Sequence, residues 1–546
     1  MARAQSAVDG VAERYVDTFA ALDPCAATGL GIVGAQVNYD EDLTDYSPAG
    51  VAARADAARD ALRQLDTVSP VDAVDRVTVA AMRERLGVAV ELNDAGLDVG
   101  ELNVIASPLQ NLRDVFDLMA ADTEDDWTVI NRRLARVPQR VAGYLAALRE
   151  TVQDGRAPAR RQVARGITQA GATQQLFVDM VAGAAVANPT LNTELQQHAQ
   201  AAAEAYAGLA EVLRTEIGPA ARDRDAVGRD EYRLYSRAFL GSSVDLEETY
   251  AWGLQQLESI VAEQQSIATR LYPGSSVAET LNRLDSEPRY VIAGTDALQQ
   301  WMQQLSDRAV DALADTHFEI DEPLRRLECC IAPTQNGGIY YTGPSEDLTR
   351  PGRMWWSVPP GVDEFHTWQE TTTVFHEGVP GHHLQIGRAV SLAGELNRWR
   401  RLACWVSGHG EGWALYAERL MADLGWLDDA GTRMGMLDAQ RFRAARVVID
   451  IGVHCGLTAP DGGIWDAERA WEFLTTHSAM AEDNLRFELD RYLGWPGQAP
   501  SYAIGQRIWQ QLRDQVTGGG VSLKEFHRRA LDLGGLPLDV LVAAVQ

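Results

Sequence analysis

The sequence predicts a mostly α-helical fold carrying one small β-sheet. Three observations lead there. Long segments repeat apolar residues three and four apart, as one face of a helix requires. β-Prone residues gather in a single stretch, Leu327 to Val358. No internal repeat and no Gly/Ser tether divides the 546 residues. The expected organisation is one domain over 1–546, whose lobes, if it has them, are a helical 1–300 and a site-bearing 301–546.

Individual elements follow from local chemistry. Met1 to Leu22 carries acids early and has no continuous apolar core, so it reads as an amphipathic helix and not as a secretory signal. Val51 to Leu65 is rich in Ala, Leu and Arg, all good helix formers. Leu191 to Ile217 is a second long helix. Ser243 to Leu271 is a third, with Ser243 and Asp245 offering oxygens to its first turn and Pro273-Gly274 stopping it. The β-prone runs are ECCIAP, GGIYYTGP and RMWWSVP, each bounded by Gly or Pro. They predict a small sheet just before the motif region, and an edge strand of such a sheet can pair with an extended peptide.

Charge narrows the function classes. Lys and Arg number 49 against 77 Asp and Glu, a net charge of −28. Such a surface repels phosphate backbones and anionic membranes, so neither nucleic acid nor membrane is an expected partner. No run of ~18 apolar residues is present to span a bilayer. The cysteines Cys25, Cys329, Cys330, Cys404 and Cys455 are odd in number and lack CxxC spacing. Free thiols in a reducing compartment, and hence a cytoplasmic location, are expected.

The chemistry concentrates in HEGVPGHHLQ, His376 to Gln385, inside a segment that starts helical at about Asp363 and runs to Trp399. An ordinary zincin helix spaces its two His ligands four apart with a Glu base beside the first. Here His376 and Glu377 precede His382 by six and five residues. Six residues of unbroken helix turn ~600°, which would put His382 on the far side. Pro380 cannot donate to the carbonyl of His376 and clashes with it, and Gly381 can absorb altered dihedrals. A bulge there restores the pairing of His376 with His382. His383 is the rival: its seven-residue spacing returns to the same face but rises ~10.5 Å, long for two rings sharing one ion with ~2 Å bonds. If His382 is the ligand, His383 is left for the substrate or the oxyanion.

A third ligand is expected from GHGEGWALYAERL, which reads as a helix from Glu411. A Glu on a later helix completes a two-His, one-Glu set that leaves a position open for water, so Glu411 is the candidate ligand. Glu418 lies seven residues on, on the same face, and can orient a His ring. Glu377 is the candidate general base. Over Leu437 to Cys455, Arg446, Asp450 and His454 form a polar stripe that is either a side-chain ladder between packed helices or a wall binding a substrate carboxylate. RYLGWPGQAPSYAIG sets Arg491, Tyr492, Gln498 and Tyr502 around a turn entering a helix, where Tyr502 can donate to an oxyanion.

HEGVPGHHLQ, EGWALYAE and RYLGWPGQAPSYAIG together resemble the bacterial family of unknown function DUF885. The likeness starts at LDPCAATGLGI and DEDLTDYSPAG and ends at KEFHRRALDLGGLPLDVL, nearly the whole chain. Its members look like distant relatives of the gluzincin metallopeptidases, such as thimet oligopeptidase, the Taq-type carboxypeptidase and angiotensin-converting enzyme. The resemblance implies a helical, metallopeptidase-like body with a deep cleft. It matches Gly381-His382 to the GH of HExGH and Glu411 to the later-helix glutamate. The expectation is a zinc-dependent hydrolase acting on amide bonds of short peptides, with Zn2+ on His376, His382 and Glu411, and with Glu377, Tyr502 and His383 in catalysis. The alternatives are a metal-dependent hydrolase or lyase on a non-peptide amide, and a non-catalytic helical binding protein.

Overall fold

The computed structural model describes residues 3–32, 34, 37–332 and 338–546. Helix accounts for 67% and strand for 5%, so the fold is mostly α with small sheets, as the periodicity predicts. The chain forms two compact units. One gathers Gln5–Gly228 and Arg486–Trp495; the other gathers Met1–Ala4, Arg229–Leu485 and Pro496–Gln546. The division falls at Gly228, earlier than the sequence suggests.

The first unit is built of helices. Ala7–Leu22 starts where Ser6 and Asp9 cap each other's backbone N–H groups. Pro48–Leu65 begins three residues before the expected Val51, because Ser47 caps it and Pro48 suits the first helical position. The helix expected over 191–217 is α over Pro189–Val212 and π over Leu213–Ile217. The core packs Leu134, Tyr144, Phe177 and Tyr206, with the Phe177 and Tyr206 centroids 5.4 Å apart.

The second unit carries the motifs. Its long helix α1 (Leu246–Leu271) is capped by Asp245, not Ser243, and ends before Pro273. A two-stranded antiparallel sheet pairs β1 (Val291–Ala293) with β5 (Glu364–His366), and α2 (Thr295–Leu313) follows β1. The expected small sheet has β2 (Leu327–Ile331), β3 (Ile339–Thr342) and β4 (Gly352–Trp356) in the order β2-β4-β3. Pro333 and Gly337, at the ends of two β-prone runs, lie outside the described residues. Strand β4 is central, parallel to β2 and antiparallel to β3. The outer edge of β2 is covered by α2: Gln299 and Gln303 donate to the carbonyls of Cys329 and Leu327, both at 2.8 Å. Strand β3 is the opposite edge. Among the described residues no helix is long and apolar enough to cross a membrane.

The segment from Asp363 is not one bulged helix. After β5 it forms α3 (Thr367–Glu377), breaks over Gly378–Gly381 and restarts as α4 (His382–Ser391). Pro380 lacks the N–H that would continue α3. The Gly381 N–H instead reaches back to the Phe375 carbonyl (3.1 Å), and the His383 N–H to Gly378 (3.2 Å). Trp413 Nε1 donates to the freed carbonyl of Pro380 at 2.8 Å and, at 3.2 Å, to that of Gly381, which also accepts the Gln385 N–H as the first bond of α4. Trp413 is fully buried on α5 (Ser407–Asp423). The remaining site helices are α6 (Ala430–Cys455) and α7 (Ser501–Gly518). Helices α5 and α7 touch backbone to backbone through Gly412 and Gly505, where a Cβ on Gly412 would fall 2.5 Å from the Gly505 carbonyl carbon.

Gly381 is fixed by close approach, since a Cβ there would lie 1.8 Å from the His376 carbonyl oxygen. No side-chain movement relieves a clash with backbone. Gly381→Ala should cost roughly 3 kcal/mol or more of stability, read as a lower urea midpoint at unchanged slope. A midpoint within error of wild type would show that the break tolerates a side chain.

Candidate metal centre

Three elements converge on one point. Helix α3 ends with His376 and Glu377, α4 starts with His382, and α5 presents Glu411 in its second turn. Because the helix is interrupted between α3 and α4, the His376 and His382 rings meet edge to face with centroids 4.9 Å apart. Glu411 Oε2 lies 3.4 Å from His376 Nε2 and 3.5 Å from His382 Nε2. A tetrahedral ion with bonds of ~2.0–2.2 Å spaces its ligand atoms ~3.3–3.6 Å apart, so these separations fit one such ion. His376, Glu377 and His382 also form a group whose candidate ligand atoms lie within 4.8 Å of one another. Of the two carboxylates, Glu411 has the ligand spacing to both rings, and Glu377 stands beside them.

A second carboxylate holds His376 from behind. Its Nδ1 lies 2.8 Å from Glu418 Oε1, and the other Glu418 oxygen accepts from Thr372 Oγ1 at 2.7 Å. Glu411 and Glu418 therefore share a face of α5, as their spacing predicts, and grip opposite nitrogens of one ring. Nε2 is thereby directed at the cluster, the usual service of a carboxylate behind a ligand histidine. Glu418 is fully buried, and Arg443 Nη2 approaches it at 4.0 Å.

These contacts set the charges. Burial opposes charge on His376, but the contacts with Glu411 and Glu418 outweigh it and push the ring up to about 9. Burial would raise Glu411, yet His376 and His382 hold it well below the usual carboxylate range. Burial raises Glu377 above its ordinary value, with His382 and His376 opposing. A carboxylate shifted toward neutrality beside two imidazoles is suited to exchanging a proton.

A pocket of about 330 Å³ opens onto the cluster. His376, Glu377, His382 and Glu411 line it together with Arg443, Arg446, Tyr341 and Tyr502. The Arg446 guanidinium stacks over the Phe442 and Tyr502 rings, 4.4 and 5.0 Å from their centroids. His383 is turned away. It is fully buried, its Nε2 meets the Leu324 carbonyl at 2.8 Å, its Nδ1 meets the Tyr341 hydroxyl at 3.0 Å, and burial pulls it down to about 4. That placement removes His383 from the ligand set and gives it no contact with the cluster through either nitrogen. Asp450 accepts from the Tyr232 hydroxyl (2.7 Å) and the Gly497 N–H (2.9 Å), and His454 stacks on Tyr232, so both tie α6 to its neighbours. The Gln498 carbonyl holds Ser501 at the start of α7. Arg491 belongs to the other unit, where it pairs with Glu488 at 2.7 Å.

Tyr341, Arg443 and Trp413 were not singled out in the sequence. Arg443 had a signal, since it stands one helical turn before Arg446. Tyr341 and Trp413 act through partners distant in sequence and left none.

The family model described as "Bacterial protein of unknown function (DUF885)" matches residues 24–545. No curated protein matches the chain. Two solved structures share the fold. One, from Colwellia psychrerythraea, is 21% identical with a TM-score of 0.84, covering 98% of both chains. The other, from Shewanella oneidensis, is 15% identical with a TM-score of 0.75, covering 99% of both. Both are described as a "putative lipoprotein".

The Glu418 contact can be read without any metal. Its carboxylate favours the charged ring, so its loss must lower the His376 pKa. By NMR titration of the chelator-treated protein His376 should titrate near about 9, and at least about one unit lower in Glu418→Gln. Equal values in the two proteins would exclude Glu418 as the group that holds the ring.

Proposed function

Because the chain belongs to DUF885, a family described only as of unknown function, its activity must be read from the site, and we propose a zinc-dependent hydrolase that cleaves amide bonds in short peptides. One observation carries the reading: a Glu411 oxygen stands 3.4 and 3.5 Å from the Nε2 atoms of His376 and His382, with Glu377 beside them. Two His and one carboxylate, with room for a fourth group, are the donor set of a catalytic zinc. The likeness of this motif order to the gluzincin peptidases belongs to the same proposal.

His376, His382 and Glu411 would hold the ion, with Glu418 fixing the His376 ring. Zinc, when bound, polarises a substrate carbonyl and acidifies water. Glu377 takes a proton from the water that attacks the carbonyl carbon. It then delivers that proton to the amide nitrogen as the C–N bond breaks, leaving a carboxylic acid and an amine. Its raised pKa suits both halves of this exchange. Tyr502, which lines the pocket, would donate to the carbonyl oxygen as charge develops there. The pocket admits a short segment of chain, and the edge strand β3 supplies Ile339, Tyr340 and Tyr341 to its wall, an arrangement that suits an extended peptide. A non-peptide amide would meet the same catalytic groups but would make no use of that strand.

Zinc reconstitution and a peptide library test this. Wild type should bind about one zinc per chain and cleave some peptides. Glu377→Gln should keep the zinc and lose ~10²–10⁴ in kcat. His382→Ala should lose zinc affinity at least about tenfold more than His383→Ala. Absence of stoichiometric metal binding, or full activity in Glu377→Gln, would refute the assignment.

A further inference from the structure

His383 adjoins His382 in sequence but faces the sheet. What it does there determines the chemistry of Tyr341, a residue on the edge strand β3 that lines the same pocket as Glu377 and Glu411. The Leu324 carbonyl, 2.8 Å from His383 Nε2, can only accept a hydrogen bond. Nε2 therefore carries the ring's proton, and the bare Nδ1 faces the Tyr341 hydroxyl at 3.0 Å. A bare ring nitrogen only accepts, so the hydroxyl must donate to it. A phenol has a single proton, and here it is committed away from the pocket. The oxygen keeps its lone pairs. Toward the pocket, Tyr341 can accept but cannot donate without abandoning His383.

The sheet is built around this pair. Gly352, on the central strand β4, backs both partners: a Cβ there would fall 2.0 Å from the Tyr341 hydroxyl and 2.6 Å from His383 Nδ1. The two rings meet edge to face at 5.6 Å and 74°. Three separate elements, β3, β4 and the first turn of α4, thus fix the hydroxyl of a pocket-lining residue with a set proton direction.

We propose that Tyr341 binds substrate as an acceptor for a backbone N–H, so that the preferred substrate is an extended peptide without proline or an N-alkylated residue at the position facing Tyr341. The inference rests on the peptide-hydrolase reading above. It assigns Tyr341 to substrate binding and His383 to positioning it, and it excludes Tyr341 as an oxyanion donor. Recognition of an N–H is also what separates a peptide from an ester of the same shape.

The test compares matched peptides in which each non-scissile N–H in turn is replaced by an ester oxygen. With zinc-loaded wild type, one replacement should lower kcat/KM about tenfold, the loss expected for one hydrogen bond. In Tyr341→Phe that discrimination should vanish, with KM for the parent peptide raised about tenfold and kcat within a few-fold. Discrimination that persists in Tyr341→Phe, or a loss confined to kcat, overturns the proposal. ¹⁵N NMR of His383 gives a readout that needs no turnover: the Nε2–H tautomer is expected, and the Nδ1–H tautomer would overturn it. If wild type cleaves no peptide, the hydrolase reading fails by itself. Calorimetry on the same peptide pairs then decides this inference, and equal or absent binding of both members counts against it.

Discussion

The site depends on the four-residue break between α3 and α4. Without it His376 and His382 would point to different sides of one helix. With it, their Nε2 atoms both face Glu411. The break survives in a buried setting because its backbone groups find partners: the Gly378 and Gly381 amides reach back into α3, the Gly381 carbonyl accepts the Gln385 N–H of α4, and one indole, Trp413, takes the freed carbonyl of Pro380. An unpaired buried carbonyl costs ~1–3 kcal/mol, so Trp413 is as much a part of the motif as the residues it supports. Trp413 is itself wedged against Trp509, with centroids 4.9 Å apart, which ties the break to α7.

Electrostatics then sorts residues of similar type into different roles. Three glutamates surround two histidines. Glu411 and Glu418 take opposite nitrogens of His376 and are lowered from the ordinary carboxylate value; Glu377, pushed up by its burial and then by Glu411, is raised from it. The two adjacent histidines also diverge. His382 joins Glu411, while His383 is spent on the sheet. Identical side chains one residue apart therefore serve the cluster and the pocket wall, because the first turn of α4 points them in different directions.

Much of this was legible in the sequence. Helical content followed from periodicity. The residues HE, GH and EGWALYAE identified the cluster because rare side chains fell at spacings that helix geometry can bring together, and Pro380-Gly381 marked the break. The form of the break was not legible, because whether the chain bulges or ends one helix and begins another depends on Trp413, more than thirty positions downstream. Asp450 and His454 were visible as a polar stripe, but their partner Tyr232 lies 218 residues before Asp450. Tyr341 gave no signal, since its meaning comes from a histidine, a carbonyl and a missing Cβ on three other segments. Local patterns carried the cluster residues; long-range hydrogen bonds carried their orientation.

The measurement that bears most directly on the account is the anomalous diffraction of a zinc-soaked crystal collected across the zinc edge. A single strong peak is predicted at ~2.0–2.2 Å from His376 Nε2, His382 Nε2 and a Glu411 oxygen, with Glu418 on the far nitrogen of His376. No peak in this cluster, or one bound through Glu377 in place of Glu411, would contradict it.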